Sequence, residues 1–340
     1  MSLIIRLFIF IGILVTAPGL IADQDLDFEP LVVTPPSQPV TTSGENRHPL
    51  FISNDSIIFV SKDRQYHKDP QIYFKDLKSG RERRVTHQRG HIINGLWLND
   101  KNKIVYASTT DEEKETPFIM KKFLERFPSS VSNNFFFHVN MSPSEIYSSD
   151  IDGTNIERLS QHSGFDAFPS LLEKKSQLLF SRWDKGHINL FAKSTKKNLK
   201  PWKVLKTNGH DLGLKLSPNK ENFVWYRFSP DFQSAQLMHT NTEFKNPNYI
   251  TLDSGINWSP SWHPDNDKIL YSAKLDGSSH FDIYEVSVNE GCKRQITSFE
   301  GDEFYPAVSP DGKTLLFTST QNGGEQIHKL DYPEPFSCDQ

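Results

Sequence analysis

Short apolar runs separated by polar, turn-forming stretches fill most of this chain, and they recur with a fixed spacing. The clearest copy is Tyr305-Pro306-Ala307-Val308-Ser309-Pro310-Asp311-Gly312 followed by Leu315-Leu316-Phe317-Thr318-Ser319. With Pro306 as anchor, earlier copies fall at Pro260, Leu214, Pro169, Gly95 and Pro49, giving intervals of 46, 46, 45, 74 and 46 residues. A repeat of that length predicts an array of four-stranded units. Three residues after each anchor comes a turn tetrapeptide, such as Ser309 to Gly312 or His263 to Asn266, rich in residues that tolerate tight-turn dihedrals. About eleven residues after the anchor a large aromatic sits in a β-rich run: Phe59, Tyr106, Phe180, Trp225, Tyr271 and Phe317. These predict a column of buried second strands.

A third run follows as Gln71-Ile72-Tyr73, Glu145-Ile146-Tyr147, Asn189-Leu190-Phe191, Gln236-Leu237-Met238, Asp282-Ile283-Tyr284 and Gln326-Ile327-His328. A fourth ends at Thr86, Ser160, Leu205, Thr251 and Thr297, each nine residues before the next anchor. Four strands per unit and constant links predict an all-β, six-bladed β-propeller of four-stranded blades. The sixth unit runs out before a fourth strand. The expectation is that an N-terminal strand, Leu31-Val32-Val33-Thr34, completes it and closes the ring, removing an exposed edge.

Bulk properties add three constraints. The chain has 340 residues, a formal net charge of −4 and a pI near 6.3, so it offers no basic field for nucleic acid. Residues 1–22 read as a secretory signal, with Arg6, an apolar core from Leu7 to Val15 and a cleavage site after Ala22. Residues 23–47 then read as a linker holding the closing strand near 31–34, residues 48–332 as the propeller and residues 333–340 as a tail. Only Cys292 and Cys338 are present, an even pair for an exported protein, and a bridge between them would staple the tail to the fifth unit.

These residues resemble the TolB-like β-propellers, whose repeat ends in a Trp-Ser-Pro-Asp-Gly-like turn and continues through an Ile-Tyr strand. Pro306 to Ser319 with Gln326-Ile327, and Ser261-Trp262-His263-Pro264-Asp265 with Asp282-Ile283-Tyr284, carry the likeness most clearly. TolB has a further domain ahead of its propeller for which this chain leaves no room, so the resemblance implies a stand-alone propeller.

Three residues before each anchor stand Asn46, Ile92, Asp166, Asp211, Asn257 and Glu303. As a ring around one mouth of the central channel, their oxygens suit a divalent cation or the amines of a ligand. As turn residues, each instead caps its own link. The long interval places an insert of about residues 110–144 in the second unit, on the same face. Its Ile119, Met120, Phe123, Leu124 and Phe127 predict a short amphipathic helix, and Phe135, Phe136 and Phe137 follow as an apolar run. These aromatics either roof the blade or form a docking surface at the channel mouth. His87, His91, His162 and His210 fall in the links of that face, but without HExxH or another compact ligand spacing. A GxSxG elbow is also absent from the sequence.

The expectation is therefore a monomeric, non-enzymatic scaffold of the periplasm or cell exterior. It would bind an envelope protein or peptide, need no cofactor beyond a divalent cation at the mouth, and touch membrane only through its partner. The competing reading is an enzyme or sensor for a saccharide or cell-wall fragment at that mouth.

Overall fold

The computed structural model describes residues 36–98, 102–111, 143–196, 199–334 and 338. All of these fall in one compact unit, and among them there is no α-helix and no helix long and apolar enough to cross a membrane. The expected signal peptide, the expected strand at 31–34 and most of the insert lie outside the described residues.

Each sequence repeat builds antiparallel strands in up-and-down order. The first strands are Glu45–Ser53, Ile92–Leu98, Asp166–Leu172, His210–Leu216, Gly255–Trp262 and Glu303–Val308. The aromatic column lies in the second strands, and Phe59, Tyr106, Phe180, Trp225, Tyr271 and Phe317 are all buried. Burying rings of that size contributes about 1.5–3 kcal/mol each, which is why this column is the firmest mark of the repeat.

The expectation of six separate four-stranded blades is corrected. Four sheets are separate four-stranded blades, built from residues 45–84, 92–158, 166–203 and 303–331 plus an N-terminal strand. The strands between His210 and Gln295 instead belong to one eight-stranded sheet. A parallel pairing of Ala235 with Ile256 joins the two halves of that sheet, and Asn257 Nδ2 donates to the Ala235 carbonyl at 3.3 Å beside it. Similar backbone links elsewhere stop short of a continuous sheet: Asn46 N donates to Glu325 O at 2.8 Å, Asp166 N to Ser144 O at 2.9 Å and Glu303 N to Phe281 O at 2.8 Å.

Closure is also corrected in position. The strand beside Gln326–Asp331 is Gln38–Pro39, not 31–34. Val40 N donates to Ile327 O at 2.7 Å, and Thr41 Oγ1 accepts from Ile327 N at 2.9 Å. The same two bonds recur inside other repeats, where Val85 N meets Ile72 O at 2.7 Å and Thr86 Oγ1 accepts from Ile72 N at 2.9 Å. Gln38-Pro39-Val40-Thr41 is thus the displaced fourth run of the last repeat, with Thr41 eight residues before Pro49. A single Pro at this outer edge is tolerated because its missing N–H faces away from any ladder.

Cys292 and Cys338 are joined, with Cα atoms 5.7 Å apart, which ties the C-terminal end to the strand Lys293–Gln295.

Candidate functional site

The anchor column has a backbone cause. Every first strand carries a register shift in its pairing with the second strand, and in five of six the shift brackets the anchor and the residue before it. The preceding residue is left-handed: His48 at φ 53°, Phe168 at 54°, Gly213 at 70°, Ser259 at 52° and Tyr305 at 54°. A bulge leaves its extra residue without a ladder bond, so proline, which has no N–H to offer, fits at the anchor. Gly213 is required where it stands, since an added Cβ would lie 2.3 Å from Tyr226 Cε1.

These bulges turn the first strands toward a common cavity of about 660 Å³, lined by residues from all six repeats. One wall is aromatic. Phe168 and Tyr226 have ring centroids 6.3 Å apart, Tyr226 and Trp258 6.2 Å, Trp258 and Tyr305 5.1 Å, and Tyr305 and His48 3.6 Å. Trp262 adds a further face and donates its Nε1 proton to the Lys215 carbonyl at 3.1 Å. Burial pushes the Tyr226 hydroxyl well above its ordinary pKa, with Tyr305 adding to the effect, so it stays a neutral donor. Charged side chains on the lining are Glu173, Lys215 and Lys220.

The ring of residues three before each anchor sits elsewhere. Asn46, Asp166, Asp211, Asn257 and Glu303 are fully buried, and Ile92 nearly so. Their bonds run to neighbouring strands. Asp166 takes a two-pronged bond from Arg182 at 2.7 and 2.6 Å, a geometry in which both carboxylate oxygens are used. Asp211 accepts from Trp225 Nε1 at 2.6 Å and Arg227 Nε at 2.8 Å. Asn46 donates to Gln326 Oε1 at 2.9 Å and accepts from Arg64 at 3.0 Å, while Asn257 donates to Gln236 Oε1 at 3.3 Å. The Glu303 carboxyl accepts from Ser319 at 3.0 Å, and its pKa is pushed up to about 9 by burial and by the neighbouring Asp282 carboxyl. Asp282 in turn is pushed up to about 6, again chiefly by burial.

The sequence did not single out Glu145 as an equivalent acid. It is fully buried, pushed up to about 7 by burial, and held by Ser160 at 3.0 Å and Arg158 at 3.3 Å. Its signal was available, because Gln71, Glu145, Asn189, Gln236, Asp282 and Gln326 are all amides or acids within the first three residues of a third strand. Among these side chains, Asn46 with Gln326, Asn257 with Gln236 and Glu303 with Asp282 join one repeat to the next, while Asp166 and Asp211 bond within their own repeats.

The insert aromatics Phe123, Phe127, Phe135, Phe136 and Phe137 lie outside the described residues. Of the histidines, His210 stacks on Phe232 with centroids 3.8 Å apart and has its pKa lowered to about 4 by burial. His162 is likewise lowered by burial. Among the described residues, the one group of three potential ligand atoms within 4.8 Å is Glu290, Cys292 and Cys338. Both sulfurs of that group are engaged in the disulfide.

Residues 200–335 match a family model described as the TolB beta propeller domain. An uncharacterized protein of Agrobacterium fabrum is 31% identical over 84 residues, 25% of this chain and 28% of that protein. A TolB homolog of Chlorobium luteolum is 32% identical over 78 residues, 23% of this chain and 17% of that protein. The matched stretches therefore span less than a third of these relatives' own lengths. Among solved structures, a putative TolB from Agrobacterium tumefaciens superposes with a TM-score of 0.59 at 12% identity, covering 86% of this chain and 93% of that one. An oligogalacturonate lyase in complex with manganese gives 0.55 at 15% identity, covering 87% and 79%. Identities this low show a shared fold.

Proposed function

Since the chain belongs to the TolB-like β-propellers, with residues 200–335 carrying the match, we propose that it is a binding scaffold of the cell envelope. On this reading it is exported to the periplasm and holds a protein or peptide segment in its central channel, with the insert aromatics Phe123, Phe127, Phe135, Phe136 and Phe137 as a second contact. The observation that carries the reading is the cavity of about 660 Å³ with an aromatic wall drawn from five repeats. Aromatic side chains give large contact area at small entropic cost, and pockets of roughly 300–1,000 Å³ are the usual size for enclosing a ligand segment.

The same geometry argues against assigning the channel mouth to the buried ring of Asn46, Asp166, Asp211, Asn257 and Glu303. Those side chains support the channel from behind. A lyase-like metal chemistry finds less support than a scaffold, because His87, His91, His162 and His210 do not assemble into a three-ligand cluster among the described residues.

The test is photo-crosslinking in living cells, with a benzoyl-phenylalanine at Pro260 on the channel lining or at Leu252, which is 84% exposed and off it. The scaffold reading expects one envelope protein, identified by mass spectrometry, to be captured from position 260 and not from 252, and to be lost when residues 112–143 are replaced by a short turn or when Phe136 becomes Ala. Capture from 252 alone would refute the channel as the binding site. Capture from 260 that survives the replacement would remove the insert from the proposal.

A further inference from the structure

The channel lining is unbalanced in charge and in hydrogen bonding. Glu173 and Lys220 meet at 3.2 Å and offset one another. Lys215 is half-buried on the same lining, and among the described residues its ammonium has neither an ion pair nor a hydrogen bond. Burial alone lowers its pKa, with no carboxylate beside it to raise it. On the same lining, Asn94 is 5% exposed and its Oδ1 accepts from Phe168 N at 3.2 Å. That bond fixes the amide orientation, leaving Nδ2 as a buried donor with no partner. Both unmatched groups are donors, one of them cationic, and both border the aromatic wall.

Buried donors left unpaired are costly, and a cation in a partly dry cavity favours an anion over a neutral acceptor. We infer that the channel selects an apolar peptide segment carrying a carboxylate, with Lys215 as the counter-charge and Asn94 donating to the carboxylate or to an adjoining carbonyl. This rests on the peptide-binding reading above and names the chemistry of what is bound. A peptide fits the lining better than an acidic saccharide. Tyr226 and Trp258 meet at 89° and Trp258 and Tyr305 at 66°, so the wall presents edges and clefts for side chains rather than one flat platform for a sugar ring. The overall charge of −4 repels acidic partners in general, so an acid that does bind must be read locally.

The sequence carries a trace of this specialisation. One residue past each anchor stand Leu50, Leu96, Ser170, Lys215, Ser261 and Ala307, and only the fourth repeat places a charge there.

A positional-scanning hexapeptide library passed over the immobilised full chain tests the inference. Wild type should prefer Asp or Glu over Asn or Gln at one position by about tenfold or more, the size of a charge-assisted hydrogen bond. Lys215→Arg should keep that preference, Lys215→Met should lose it while still retaining apolar hexapeptides, and Lys215→Glu should turn it toward Lys or Arg. Urea midpoints establish that each variant is folded. Should Lys215→Met fail to fold, Lys215→Gln, which keeps a polar tip without the charge, must lose the acidic preference while still retaining apolar hexapeptides. An acidic preference that survives in Lys215→Met, or its absence in wild type alongside peptide binding, overturns the carboxylate inference and leaves the scaffold reading standing. If wild type retains no hexapeptide, both fall. Retention of oligogalacturonate instead of peptides overturns both in favour of a saccharide site.

Discussion

Replacing Thr41 by Val removes the hydroxyl that fastens the N-terminal strand to the last repeat and leaves its shape unchanged. Thr41 is 1% exposed; its Oγ1 accepts from Ile327 N at 2.9 Å and donates to Gln326 Oε1 at 2.8 Å. Gln326 Oε1 keeps its bond from Asn46 at 2.9 Å, so the loss falls mainly on the buried Ile327 amide. An orphaned buried donor costs about 1–3 kcal/mol and a lost neutral hydrogen bond about 1 kcal/mol, giving roughly 2–4 kcal/mol in all. Urea unfolding followed by far-ultraviolet circular dichroism should then show a midpoint lower by about 1 M at an m-value near 3 kcal/mol/M. Thr297→Val, which removes the equivalent bond to Ile283 N at 2.8 Å within one repeat, should cost a similar amount. Thr42→Val, at an exposed neighbour, should stay within about 0.5 kcal/mol of wild type. A Thr41→Val midpoint equal to that of Thr42→Val, beside a destabilised Thr297→Val, would refute closure by residues 38–41.

Gly213→Ala should destabilise by more than about 2 kcal/mol in the same assay, because its Cβ would lie 2.3 Å from Tyr226 at φ 70°. Gly80→Ala, at φ 72° with nothing within 4 Å, should cost only the left-handed penalty of about 1 kcal/mol. Glu303 binds its proton more tightly folded than unfolded, so its contribution is full below its ordinary pKa of 4.5 and is lost as pH rises toward about 9. Wild-type stability should therefore fall between pH 5 and 8 more steeply than that of Glu303→Gln, and the variant should be the more stable of the two at pH 8; parallel slopes would count against the protonated carboxyl. Reducing Cys292–Cys338, which closes a loop with a sequence separation of 46, should lower stability by about 2–4 kcal/mol in the same denaturation assay.

The fold was legible where the repeat imposes the same physical demand on every copy. A large aromatic in each second strand, and a hydroxyl closing the fourth run in every repeat but the third, recur because each copy must fill the same space and satisfy the same amide; in the third, Leu205 stands there, and His210 Nδ1 accepts from the nearby Ile188 N at 3.2 Å. The closing strand escaped notice because Pro36 and Pro39 disguise Gln38 to Thr41 as linker, although Thr41 keeps nearly the spacing of Thr86 and Thr297. The merging of strands from His210 to Gln295 into one sheet depends on a single backbone pairing at Ala235 and Ile256, which no side-chain pattern encodes. The site was less legible for a related reason. Asn46, Asp166, Asp211, Asn257 and Glu303 recur, and recurrence marks what every repeat needs, here a buried polar anchor near the start of its first strand. Lys215 and Asn94 occur once each, so only the bulged first strands, which bring them to one cavity, reveal them together.

The most direct test of the channel as the binding site is the set of tryptophan indole signals in ¹⁵N–¹H spectra, assigned by single Trp→Phe changes and titrated with the tightest hexapeptide from the library. Trp258 and Trp262 line the cavity, Trp225 is buried against Asp211, and Trp202 lies on an outer strand at 38% exposure. Saturable shifts of Trp258 and Trp262, with Trp225 and Trp202 unmoved, are the predicted result. Shifts confined to Trp202, or none at Trp258 and Trp262 under saturating peptide, would contradict it.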